Sequence, residues 1–136
     1  EKINELASQN GINFYGPLDD TVGKFVEYDC LICPTFYNEG LPRVLLEAGS
    51  VGLFSIATKI PGCEEIITDG FNGLLCEPQD INSLILKILK FIQMSNVERS
   101  VIGENAKNRV ENSFLVDIVL AEYEKALLVN DKSLKV

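Results

Sequence analysis

The stretch Tyr37-Asn38-Glu39-Gly40-Leu41-Pro42-Arg43-Val44-Leu45-Leu46-Glu47-Ala48 follows a short apolar run, Cys30-Leu31-Ile32-Cys33-Pro34, which reads as a buried strand. Pro42 suits the first turn of a helix, where a missing N–H forfeits no intrahelical bond. Leu41, Val44, Leu45 and Ala48 recur at spacings of three and four, which predicts one buried helix face. Glu39 falls in the loop ahead of this helix, and Glu47 about two turns into it. A strand that ends in a loop and a helix N-terminus turns unpaired N–H groups and partial positive charge outward, a seat for a phosphate. A carboxylate at its mouth can accept hydrogen bonds from sugar hydroxyls, and a deeper one from a ribose. The stretch reads as half of a nucleotide-sugar site.

Outward from it, the chain alternates short strands with helices. Upstream, residues 12–15 alternate enough for a short strand that Gly16-Pro17 ends, and Asp19 or Asp20 can cap a helix through Val22, Phe25, Val26 and Tyr28. Downstream, residues 53–58 are a continuous β-rich run, Ile60-Pro61-Gly62-Cys63-Glu64-Glu65-Ile66-Ile67 a turn and short helix, and 74–76 a brief fourth strand. Asp69-Gly70 and Asn72-Gly73 are turn dipeptides. Asp80 opens a helix with the stripe Leu84, Ile85, Ile88, Leu89 and Ile92, and further helices are predicted over 97–110 and 114–128. This order implies a parallel sheet covered by helices on both faces, an α/β Rossmann-like architecture.

A chain of 136 residues and 15.1 kDa builds one domain rather than two. Its net charge of −8 and pI near 4.5 argue against an exposed nucleic-acid surface. No apolar run approaches the roughly 20 residues that span a bilayer. The opening Ile3-Asn4-Glu5-Leu6-Ala7 has the character of the middle or end of a helix with no strand before it, so the expectation is a piece of a longer protein. Cys30-x-x-Cys33 invites a zinc or redox reading, but it lies within an apolar run in a chain without His. Buried thiols in a reducing cytosol are the expectation for it.

The words Glu39-Gly40-x-Pro42-x-x-Leu45-Leu46-Glu47-Ala48, Ile56-Ala57-Thr58, Pro61-Gly62-Cys63-x-Glu65-Ile66-Ile67, Asp69-Gly70-x-Asn72-Gly73-Leu74-Leu75 and Pro78-x-Asp80 occur in this order. Together with Phe14-Tyr15-Gly16-Pro17-Leu18-Asp19-Asp20 upstream and Gly103-x-Asn105-Ala106-x-x-x-Val110-Glu111-x-x-Phe114 downstream, they closely resemble the donor-binding half of family 4 retaining glycosyltransferases of the GT-B type. The resemblance covers essentially the whole chain, as one partial donor-binding domain over residues 1–136. It implies the C-terminal half of a GT-B fold, short of at least its first strand.

The same resemblance assigns roles. Glu39 would hydrogen-bond the donor sugar and stabilise charge near its anomeric centre, and Glu47 would bind the ribose. Backbone N–H groups around Gly40, Leu41, Arg43 and Val44 would hold the diphosphate. The loop of Gly16 and Leu18, with Asp20 nearby, would contact the base. Pro42 stands where many members carry Gly, which removes a possible N–H donor, and Glu64 stands where relatives often have Arg. No metal or other cofactor is implied, since the charge of the leaving diphosphate is met by protein groups. The implied donor is a UDP-sugar, with GDP-mannose second, and the acceptor a glycan or lipid-linked glycan of the capsule, O-antigen or exopolysaccharide kind. The acceptor-binding N-terminal domain would be a required partner, so the chain alone is expected to be inactive. A cytoplasmic location is expected, with the full-length protein free to sit peripherally at the inner membrane face. A nucleotide-sugar epimerase half and a non-catalytic binding module are the rival readings.

Overall fold

The computed structural model describes residues 12–17, 20–37 and 40–115. In chain order the elements are α1 (Thr21–Phe25), β1 (Cys30–Cys33), α2 (Arg43–Ser50), β2 (Phe54–Thr58), α3 (Pro61–Ile66), β3 (Leu74–Cys76), α4 (Ile81–Gln93) and α5 (Asn96–Ser113). The three strands form one parallel sheet in the order β1-β2-β3. Cys33 lies opposite Ala57, and Thr58 opposite Cys76, so the strands finish along one edge. All three connections leave from that edge.

The central strand shows why the sheet is parallel. All five residues of β2 are buried, as a strand covered on both faces must be. On one face Ala57 joins Leu45, Ile60, Cys63, Ile66, Ile67 and Leu75. On the other, Phe54 and Ile56 pack with Leu74, Phe91 and Ile102, with the rings of Phe54 and Phe91 tilted at a centroid distance of 4.8 Å. A third cluster of Phe25, Ala48 and Leu53 ties α1 to α2.

The caps are supplied by side chains that the sequence makes available. Asp20 accepts from the Gly23 N–H at 2.7 Å and starts α1, and Asp80 accepts from the Ser83 N–H at 3.0 Å and starts α4. Ser95 and Glu98 form a reciprocal capping box at the head of α5. Between α3 and β3 the buried Asn72 closes the turn. Its amide oxygen accepts from the Thr68 N–H at 2.7 Å and its amide nitrogen donates to the Ile66 carbonyl at 2.9 Å.

Asp69 holds the entry to β3, accepting from the Leu75 N–H at 2.8 Å and from Lys87 Nζ at 2.9 Å. Partial burial pushes its carboxyl up, but those two donors outweigh burial and leave it below the usual carboxylate range. A lowered folded-state pKa means the stabilisation is complete above the ordinary Asp pKa and disappears as pH falls through the lowered value. Asp69→Asn is therefore expected to reduce urea stability at pH 7 and to flatten its dependence between about pH 5 and pH 2. Parallel pH profiles for the two proteins would count against this account.

Several expectations need correction. Residues 12–16 are not in a strand, and Phe14 and Tyr15 are exposed. β1 is only half-buried, with Ile32 facing solvent, because no described strand pairs with its outer edge. α1 stops at Phe25, which leaves Val26 and Tyr28 exposed. On α4 the covered side is Leu84, Ile88 and Phe91, whereas Ile85, Leu89 and Ile92 are exposed. α5 runs on to Ser113, with Phe114 as its C-cap. The rest of the helix expected over 114–128 lies outside the described residues.

Candidate functional site

The edge where the parallel strands finish carries the start of α2. Pro42 takes the N-cap position, with φ −64° and ψ 109°, rather than the first helical position. It is buried, and its carbonyl accepts from the Leu45 N–H at 3.0 Å. Having neither an N–H nor a polar side chain, it gives the first-turn N–H groups of Arg43 and Val44 no acceptor from their own cap. Leu41 does not belong to the buried face, as expected from the spacing, but is exposed ahead of the helix. A Cβ on Gly40 would meet nothing within 4 Å, so a ligand can approach the backbone closely here.

Glu47 lies one helical turn beyond Arg43. Its Oε1 accepts from Arg43 Nε at 2.8 Å, with the Glu47 side chain 21% exposed and that of Arg43 90% exposed. The helix beneath them is held by Leu45 and Ala48, both almost inaccessible to solvent. Burying a leucine to this degree contributes about 2–3 kcal/mol, so the helix carrying Glu47 is a firm support.

The structure thus places Gly40, Leu41, Arg43, Val44 and Glu47 along a single loop-to-helix turn. Glu39 and Leu18 lie outside the described residues. Gly16 has a left-handed φ of +68°, which a residue without a Cβ adopts readily, and the Asp20 carboxylate serves the α1 cap. Both stand on the stretch ahead of α1, which reaches α2 through the Phe25–Ala48 contact.

Two features escaped the sequence reading. Arg43 and Glu47 are paired, a contact that the i,i+4 spacing signals directly. Phe36 and Tyr37 stack at 4.4 Å where β1 leaves the sheet. Phe36 also lines an apolar cleft of about 310 Å³ with Pro34, Thr58, Gln79, Ile81 and Leu84. A larger hollow of about 450 Å³ opens elsewhere, beside Val51, Gly52, Asn96 and Arg99 at the far end of α2. The Cys30 thiol is pushed up to about 12, chiefly by burial. That is the opposite of the lowered value a reactive thiolate requires.

The family model for glycosyl transferases group 1 matches residues 1–109. The chain belongs to this family. A glycosyltransferase of Methanocaldococcus jannaschii, MJ1069, is 31% identical over 130 residues, which is 92% of this chain and 33% of that protein. The capsular polysaccharide biosynthesis glycosyltransferase CapM of Staphylococcus aureus is 29% identical over 107 residues, 79% of this chain and 28% of CapM. This group 1 domain therefore spans about a third of the length of such relatives. Among solved structures, a glycosyltransferase of Rickettsia africae superposes with a TM-score of 0.83 at 25% identity, covering 92% of this chain and 34% of that one. Anabaena HepE, solved in complex with UDP, gives 0.84 at 24% identity, covering 94% and 35%. The fold is that of one half of a GT-B glycosyltransferase, consistent with the C-terminal half. Among the described residues no helix is long and apolar enough to cross a membrane.

Proposed function

We propose that this domain is the donor-binding half of a retaining, family 4 type glycosyltransferase, which moves a sugar from a nucleoside diphosphate to a glycan or lipid-linked acceptor. The observation that carries the reading is the start of α2. N–H groups without an acceptor from their own cap open at the finishing edge of a parallel sheet, and Glu47 stands one turn along the same helix. An anion is favoured at such a helix start by the N–H groups and by the helix dipole. A carboxylate beside it is suited to accept from a vicinal diol. Ligands of open α/β sheets sit at this edge for the same reason.

The relatives support a uridine nucleotide. HepE has been solved with UDP and with UDP-glucose, and a 30% identical Escherichia coli relative is named as a transferase from UDP-Gal to a diphosphoundecaprenol acceptor. A UDP-sugar is the donor proposed, with GDP-mannose second. In this reading Glu39 meets the donor sugar and Glu47 the ribose, while Gly40, Leu41, Arg43 and Val44 surround the diphosphate, and Gly16, Leu18 and Asp20 border the base. Protein groups rather than a metal offset the charge of the leaving diphosphate. The acceptor half lies in another part of the full-length protein, so the 136-residue chain alone transfers no sugar.

Calorimetric titration of the full-length protein with UDP and GDP tests the donor assignment, and product analysis with a labelled UDP-sugar tests the reaction. The expected results are micromolar UDP binding, weaker GDP binding, and label passed to an acceptor. Binding of neither nucleotide would end the reading. Label returned as an epimeric UDP-sugar would favour an epimerase.

A further inference from the structure

We infer that the Arg43 guanidinium contacts the diphosphate of the donor while it holds Glu47, so that ribose and phosphate are recognised as one unit. This rests on the donor-site reading above and adds a coupling that the reading does not require. Between Lys24 and Lys59 the chain has one basic residue, Arg43, against four acidic ones, Glu27, Asp29, Glu39 and Glu47. A nucleoside diphosphate approaching two of those carboxylates needs a cation at the same place.

Arg43 is the first residue of α2, so its side chain springs from the end of the helix where the N–H groups open. Helical side chains lean toward the N-terminus, and Glu47 leans back onto Arg43 accordingly. The contact uses Arg43 Nε and Glu47 Oε1. Among the described residues the Nη groups meet no other acceptor, and a phosphate fits that planar fork well. Glu47 likewise keeps Oε2 for a hydroxyl. An exposed i,i+4 pair stabilises a helix only slightly, so holding α2 together does not account for the guanidinium at this position.

Titration of the full-length protein with UDP, UMP and uridine, with the guanine series in parallel, tests the coupling in Arg43→Gln, Arg43→Lys, Glu47→Gln and the Arg43→Gln/Glu47→Gln double variant. For Arg43→Gln the expected result is UDP binding weakened about 10–30-fold with uridine binding changed less than about twofold. Arg43→Lys is expected to recover part of the UDP affinity, as a point charge without the fork. The two glutamine substitutions should be non-additive for UDP and additive for uridine. Equal losses for UDP and uridine would mean that Arg43 only orients Glu47, and would overturn the coupling. UDP binding that falls in Glu47→Gln but is unchanged in Arg43→Gln would remove this inference and leave the donor site standing. Binding of no nucleotide by the unaltered protein would overturn both.

Discussion

Glu47→Ala in the full-length protein is expected to weaken UDP binding about 100-fold, close to 2.7 kcal/mol, while leaving the unfolding midpoint nearly unchanged. The two halves of this expectation have different origins. A carboxylate that accepts from both hydroxyls of a ribose makes charge-assisted hydrogen bonds, each contributing about 1.5–3 kcal/mol. Those bonds are lost with the side chain. The fold, by contrast, takes little from Glu47. Among the described residues its one ion pair is with an Arg43 side chain that is 90% exposed, and such pairs contribute only about 0.3–0.5 kcal/mol. α2 is held from below by Leu45 and Ala48 in two separate clusters, and neither contact involves Glu47. Calorimetry with UDP alongside urea unfolding separates the outcomes. Affinity within threefold of the unaltered protein would exclude Glu47 from the ribose site. A large fall in stability would make Glu47 a structural residue instead.

How much of this could be read from residues alone depended on whether a pattern had one physical solution. Leu45 and Ala48 were legible as the buried side of α2 because Arg43, Glu47 and Ser50 leave only one apolar face. α4 offers no such choice. Between Ile81 and Ile92 it carries eight large apolar residues, and two neighbouring stripes satisfy the helical period equally. The tie is broken by Phe54, Ile56 and Leu74 on the sheet, which accept Leu84, Ile88 and Phe91. That information lies in other elements. The alternation over 12–15 is compatible with a strand, yet alternation supplies no partner, and no described strand pairs there. Pro42 shows a smaller displacement, by one position, since proline's φ suits the N-cap as well as the first helical residue. At the site, the helix start and the Arg43–Glu47 neighbourhood follow from local chain geometry. How the stretch with Gly16 stands relative to α2 does not, because that depends on how α1 docks.

The small residues had no signal in periodicity at all, and they set where α2 lies. Gly103 is interior to α5, where glycine is about 1 kcal/mol worse than alanine for the helix. On propensity alone Gly103→Ala should stabilise the domain. However, a Cβ at Gly103 would stand 2.2 Å from the carbonyl oxygen of Gly52, a backbone atom in a turn that itself needs a φ of +73°. No side-chain rotation relieves that contact. α5 would have to move off the α2–β2 turn, loosening Val110 from Gly49, where a Cβ would already approach within 2.7 Å. Overpacking of this kind costs about 1–3 kcal/mol and more against backbone, so sterics outweigh propensity. A net loss of about 2–3 kcal/mol is expected, read as a lower urea midpoint with little change in slope. Asn108→Ala, at an exposed position of the same helix, isolates the propensity effect and should be neutral or slightly stabilising. Because α5 braces the far end of α2, Gly103→Ala should also weaken UDP binding in protein that remains folded. A variant as stable as its parent would mean that the two backbones are not held at this distance. The start of α2 would then owe its position to something other than its packing against α5.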